Sequence, residues 1–259
     1  MGDKVRVERD GDIAIVSLDN PERLNALTLS MWRELGVAME ALSDEGSVRC
    51  VVLRGAGTQA FAAGADINEF ATCRANREQA RAYAEVTTAA MTAIEQCRHP
   101  VVAMIHGVCV GGGLEIASLC DIRICGESSR FGAPVGRLGL TMSYGELAAL
   151  IRVAGRSVAM EIVLEGRIFD APASLANGIV SRVVADSEVE VEAISTARRI
   201  AHGAPLVARW HKHAANRLMC SPELSSFEIE SALDCFDTED FRIGAEAFSA
   251  KQKPIFKGK

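Results

Sequence analysis

Residues 101–124, VVAMIHGVCVGGGLEIASLCDIRI, constrain this chain of 259 residues more than any other part. They read as a buried strand, a glycine turn, a helix carrying one acid, and a second strand. That alternation requires an α/β layer, because an apolar strand run flanked by a short helix buries both faces only inside a covered sheet. Gly111, Gly112 and Gly113 let backbone approach a ligand closely and leave helix-terminal N–H groups free to point at it. The positive end of the following helix adds to this, so the turn is suited to an anion or a developing oxyanion. Glu115 falls in the first helical turn, where its carboxyl can face the same space. Together these are the parts needed to form and protonate an enolate.

Composition narrows the alternatives. Apolar residues make up 49% and charged residues 24%, values of an ordinary globular protein with a sizeable core. The net charge of −6 argues against general nucleic-acid binding. The uncharged run 100–114 is too short to span a bilayer, and no secretory segment or lipidation motif opens or closes the sequence, so a cytoplasmic location without membrane contact is expected. None of the eight cysteines forms a C-x-x-C pair, and most sit in apolar runs, so they read as reduced core residues with no metal implied. The five histidines read as surface or capping residues. His211 and His213, two apart on an expected helix, point to different faces.

Along the chain, 13–18 reads as a strand closed by Asp19-Asn20-Pro21, and 28–42 as a helix with Leu29, Trp32, Leu35, Met39 and Leu42 on one stripe. Residues 50–53 form the next buried strand and 77–97 a long helix. Further helices are expected at 146–153 and 158–164, and a last strand at 179–184. From 186 to 251 the pattern is helical only, with Pro205 and Pro222 near two helix starts. These features divide the chain into an α/β core over 1–185 and a helical region over 186–259 that packs on the core or on a neighbouring subunit.

A second small-residue segment, 61–67 (FAAGADI), follows the strand at 50–53. It offers main-chain groups with little side chain in the way, and one of its N–H groups can complete an oxyanion hole with Gly112. Small residues that merely permit a tight loop are the competing explanation. Taken together, FAAGADI and, some forty residues on, HGVCVGGGLEIASLCDIRI resemble the crotonase (enoyl-CoA hydratase/isomerase) superfamily. Further matches lie at 20–27 (NPERLNAL), 131–139, 155–166 (GRSVAMEIVLEG) and 176–183 (ANGIVSRV).

The resemblance implies a spiral of ββα units closed by C-terminal helices that trimerise, giving a homotrimer or a dimer of trimers. It implies an acyl-CoA thioester substrate, with coenzyme A as part of the substrate and no separate cofactor. The thioester oxygen would be held by the N–H groups of Ala65 and Gly112, with Glu115 as acid/base and Gly111 beside them. Ala63, Asp66 and Ile67 match positions that hold CoA, and Arg23 and Leu24 match another CoA-lining segment. Phe248, Lys251 and Phe256 match residues that would cover a CoA site, either this chain's or a neighbour's.

The sequence departs from the hydratase pattern at one position. The family's second glutamate directly follows a Phe-x-x-Pro, and here that position is Val135, which can neither hold nor deprotonate water. Arg137 and Tyr144 fall in the loop that the family uses to line the acyl end. Arg137 is either a binder of an acyl carboxylate or a surface arginine, and Tyr144 either a proton donor or a tyrosine before a helix. Glu146 is either a replacement acid or, with Ser143, half of a capping box. A partly buried Glu115 should hold its proton unusually high. The leading expectation is enolate chemistry, by hydration/dehydration or double-bond isomerisation. The alternatives are a catalytically silent acyl-CoA binder and, on the loose Gly55-x-Gly57-x-x-Ala60 pattern, a nucleotide-dependent oxidoreductase.

Overall fold

A computed structural model of the chain describes residues 4–221 and 223–259. One sheet of six strands runs β1 (Lys4–Asp10), β2 (Ile13–Asp19), β3 (Cys50–Gly55), β5 (Val101–Ile105), β7 (Ile122–Gly126) and β10 (Arg182–Val184). Only the β1–β2 hairpin is antiparallel; the other pairings are parallel. A second sheet holds β4 (Ala60–Ala62), β6 (Val108–Val110), β8 (Arg130–Gly132) and β9 (Phe169–Asp170). β3–β4, β5–β6 and β7–β8 each place one strand in either sheet before the chain turns into helix. These helices are α2 (Phe70–Cys73) with α3 (Arg77–Gln96), then α4 (Gly112–Leu119), then α5 (Tyr144–Met160). This is the ββα spiral that the sequence resemblance implied.

The main core lies where α1 (Leu29–Asp44), α3 and α4 cover the sheets, and the stripe Trp32, Leu35, Met39 and Leu42 is buried in it as the periodicity required. β5 is buried at every position, because parallel neighbours on both edges and helices on both faces leave it no wet side. The opposite face of the large sheet is covered by α7 (Val189–Ala201), whose Val189, Ala193, Ala197 and Ala201 meet Val52, Val102 and Ile124. Thus the helical region at 186–259 packs its first helix on the core. After α6 (Ala171–Ala176) and α7 the remaining helices are α8 (Pro205–Cys220), α9 (Ser226–Ser231) and α10 (Glu239–Ala250). Among the described residues no helix is long and apolar enough to cross a membrane.

Several expectations need correction. The last strand begins at Arg182, not at residue 179, because Gly178 turns the chain at φ 75° and Ser174 O accepts the N–H groups of both Ile179 and Val180. The helix expected from residue 146 starts at Tyr144, capped by Ser143, and the two helical segments meet at Gly155, whose φ of 73° breaks the repeat. The short strands of the second sheet escaped pattern reading, since two or three residues carry no detectable period; β1 escaped it because nearly all of its seven residues are exposed and most are charged. His99 is not a surface histidine: it is fully buried, its Nε2 lies 3.2 Å from Glu45 O, and burial pushes it down to about 4. His211 and His213 are exposed on α8. Five cysteines are buried, but Cys220 is exposed. Pro205 opens α8, while Pro222 lies outside the described residues.

Candidate active site

The segment NPERLNAL braces the loop that matters most. Leu24 and Asn25 both adopt positive φ (51° and 56°), a conformation costly for non-glycine residues. Asn25 offsets that cost through its side chain, which donates to Ala56 O at 3.0 Å and Ala60 O at 2.8 Å and accepts the Asn20 N–H at 3.1 Å. The turn so fixed presents Leu24 O to the Ala63 N–H at 2.9 Å. Leu27 then forms a parallel bridge with Ala65: its N–H donates to Gly64 O and its carbonyl accepts the Asp66 N–H, both at 2.8 Å. In such a bridge the N–H of the intervening residue points away from the partner strand. Ala65 therefore turns its donor toward the cavity, and among the described residues it has no acceptor.

The facing donor comes from α4. Gly111 caps this helix, and Gly112, its first residue, has an N–H without an intrahelical acceptor. The two donors lie close together: a Cβ placed on Gly112 would stand 3.6 Å from the Ala65 nitrogen, and one on Gly64 would stand 3.3 Å from the Gly112 nitrogen. Gly113 is required for the same closeness, since a Cβ there would meet Ala62 O at 2.3 Å. Two converging main-chain donors can hold an oxygen that gains negative charge, and they need no reorganisation as the charge develops.

Glu115, one turn of α4 further on, lines the same cavity of about 360 Å³ as Ala63, Ala65, Gly111 and Gly112. Burial pushes its carboxyl up to about 8, the nearby Glu146 adds to the rise, and Arg74 works against it. The side chain is therefore a proton donor at neutral pH and a base once it has given the proton up. Glu146 also lines the cavity. Its Oε2 accepts the Ser143 N–H at 2.6 Å while Ser143 Oγ accepts the Glu146 N–H at 3.3 Å, so the capping box is real and holds the second carboxylate in place. Capping and facing the cavity are not exclusive here.

The remaining candidates are spread more widely. Val135 and Ile67 line the cavity. Asp66 is buried and caps a short 3-10 turn; burial raises its carboxyl, but the Asn68 N–H and the ion pair with Arg23 outweigh that and hold it below the usual range. Arg23 and Leu24 sit behind the loop, outside the cavity wall. Arg137 is exposed beside Gly166, and Tyr144 is 96% exposed; neither lines the cavity. Phe248 is exposed, Lys251 ends α10, and Phe256 packs near Gly244; none of the three reaches the cavity. Sequence reading did not assign Trp32, Phe70, Arg74 and Tyr83 to the wall. Their spacing within α1, α2 and α3 marks core or surface, and only tertiary packing brings them together. Among the described residues no cluster of three or more metal-ligating side chains occurs.

A mostly parallel two-sheet spiral with paired main-chain donors and a proton-bearing acid at one cavity is the architecture of the crotonase superfamily. Within it, residues 8–259 match the profile of the enoyl-CoA hydratase/isomerase family, and the chain belongs to that family. The short-chain-enoyl-CoA hydratase of Clostridium acetobutylicum is 34% identical over 96% of this chain and 95% of its own. Among solved structures, an enoyl-CoA hydratase/carnithine racemase from Magnetospirillum magneticum superposes with a TM-score of 0.97 at 48% identity, covering 100% of this chain and 97% of its own. Enoyl-CoA hydratase from Bacillus anthracis gives 0.91 at 30% identity, covering 98% and 99%.

Proposed function

We propose that this protein hydrates and dehydrates enoyl-CoA thioesters through an enolate. The observation that carries this reading is the convergence of the Ala65 and Gly112 N–H groups with Glu115 on one cavity. The thioester carbonyl oxygen sits on the two donors. Water adds to Cβ, its proton passes to Glu146, and the alkene electron pair moves onto the thioester oxygen. Glu115 then delivers its proton to Cα as the carbonyl re-forms, and the two carboxylates exchange the proton gained from water. Donors fixed in advance favour the enolate over the ground-state ester. Glu146 supports hydration over single-base isomerisation, because it supplies from another position the carboxylate that Val135 lacks. Coenzyme A enters as part of the substrate, with its binding assigned to the loop at Ala63, Asp66 and Ile67 and to Arg23 and Leu24. The exposed Phe227, Phe236 and Phe248 of the C-terminal region support assembly into a homotrimer or a dimer of trimers.

The test is the initial loss of the conjugated enoyl-thioester absorbance with crotonyl-CoA, for the unaltered protein and for Glu115→Gln and Glu146→Gln. Collapse in both variants is expected. A rate that survives Glu146→Gln and vanishes in Glu115→Gln would return the reaction to a single acid, with isomerisation of 3-enoyl thioesters as the assay to run next. Tight binding of the thioester with no turnover in the unaltered protein would make it a silent acyl-CoA binder.

A further inference from the structure

The hydration scheme leaves one charged group of the cavity unused. Arg74 follows the single helical turn α2, is half-buried, and lines the wall that Glu115 also lines. Its guanidinium carbon lies 4.7 Å from the ring centroid of Phe70 and 4.7 Å from that of Tyr83. Two aromatic neighbours fix the plane of the fork and strip water from its faces, while its edge N–H groups stay available. Among the described residues no side-chain or backbone acceptor takes a hydrogen bond from that fork, and no carboxylate forms an ion pair with it.

The acids near it are committed elsewhere. Glu69 accepts the Leu29 N–H at 2.7 Å, and Glu146 is held by Ser143. Glu115 keeps its proton up to about 8 and so does not neutralise the cation at pH 7. Leu138, Leu140 and Met142 add apolar surface to the cavity wall, and Thr87, Thr141 and Ser143 add neutral polar groups but no charge. A guanidinium that is partly desolvated and has no anionic partner favours an anion far more than water-exposed arginines do.

Its place relative to the reacting atoms decides which anion. The thioester oxygen belongs on Ala65 and Gly112, and Cα and Cβ belong beside Glu115. Arg74 shares the cavity wall with Glu115, its guanidinium held over the Phe70 and Tyr83 rings that line the same wall. Arg23 and Leu24, matched to CoA, lie outside this wall. Resting on the thioester reading above, we propose that Arg74 is a specificity-determining residue that binds a carboxylate at the far end of the acyl group. The site then takes CoA thioesters of short dicarboxylic acids. A quaternary ammonium acyl group, which the aromatic wall would otherwise attract, is excluded because Arg74 already occupies the Phe70 and Tyr83 rings with like charge.

Calorimetric binding of saturated thioesters tests this without any turnover. Glutaryl-CoA, valeryl-CoA, 4-(trimethylammonio)butyryl-CoA and free CoA would be titrated into the unaltered protein, Arg74→Gln and Arg74→Lys. The expected result is at least tenfold tighter binding of glutaryl-CoA than of valeryl-CoA, a preference lost in Arg74→Gln, partly kept in Arg74→Lys, with valeryl-CoA changed by less than about threefold. Equal affinities in the unaltered protein would overturn the proposal without need of a variant. Parallel weakening of valeryl-CoA and free CoA in Arg74→Gln would overturn it too, by making a CoA phosphate the anion. Tightest binding of the cationic thioester would overturn it in favour of an aromatic cage. Preference for glutaryl-CoA in a protein that hydrates no enoyl thioester would uphold Arg74 and refute the reaction; no thioester binding at all would refute both.

Discussion

Replacing Glu115 by Gln should make the protein more stable as well as inactive, and the gain should depend on pH in a defined window. Unfolded, Glu115 loses its proton near its ordinary value of 4.5; folded, burial keeps the proton on up to about 8. Between these limits the folded state binds more protons than the unfolded one, so its stability falls as pH rises. The contribution is fully present below 4.5 and is lost by the time pH passes about 8. Each pH unit in the window costs about 1.4 kcal/mol. From pH 4.5 to 7 the protonated acid therefore costs the fold on the order of 3 kcal/mol, with a further 1 kcal/mol or so by pH 8. A glutamine has the same shape and does not titrate, so it escapes the whole cost. Urea denaturation of both proteins at pH 5, 7 and 8.5, at one protein concentration, reads the difference. Glu115→Gln should be within about 1 kcal/mol of the unaltered protein at pH 5 and ahead by about 3 kcal/mol at pH 7. A difference that stays constant across this range would refute the argument, because it would mean that Glu115 ionises in the folded protein as it does in the unfolded chain.

Two further perturbations probe the frame of the site. Gly64→Ala places a Cβ 3.3 Å from both the Gly112 nitrogen and Val110 O at a residue whose φ is 101°, so the two donors must separate. Turnover of an enoyl thioester should fall about 10²–10³-fold, the typical cost of losing one such donor, and a change of less than threefold would show that the donors tolerate the shift. Lys212→Met should cost about 1 kcal/mol in urea denaturation with little loss of specific activity, because it takes a cation from Asp121, whose carboxylate stays partly in water. Lys212 Nζ is nearly buried, 2.9 Å from Asp121 Oδ2 and 3.1 Å from His99 O, and Asp121 also accepts the Val101 N–H at 2.6 Å. A neutral substitution would mean that Asp121 is served well enough by Val101 and water.

The central strand–turn–helix–strand and the loop at residues 61–67 were legible in the sequence, because glycine freedom, apolar runs and one acid at a helix start act over a few residues. Residue pattern therefore determined the α/β class, the two donor loops and Glu115. It also exposed the departure at Val135, since spacing from Phe131, Pro134 and Gly139 is a one-dimensional property. The second sheet was not legible: β4, β6, β8 and β9 are two or three residues long, and they become strands only when the spiral lays them side by side. Nor did the sequence reveal that Glu146 both caps α5 and lines the cavity of Glu115, because the cap is local and the shared cavity is not. The same holds for the far wall of the cavity. Trp32 belongs to α1 and Tyr83 to α3, Arg74 follows α2, and Arg137, the cation nearer in sequence to the Val135 loop, ends on the surface. Short-range stereochemistry set the donor loops and the acid; the long-range packing of helices on two sheets set which charges line the cavity around them, and no local pattern encodes that choice.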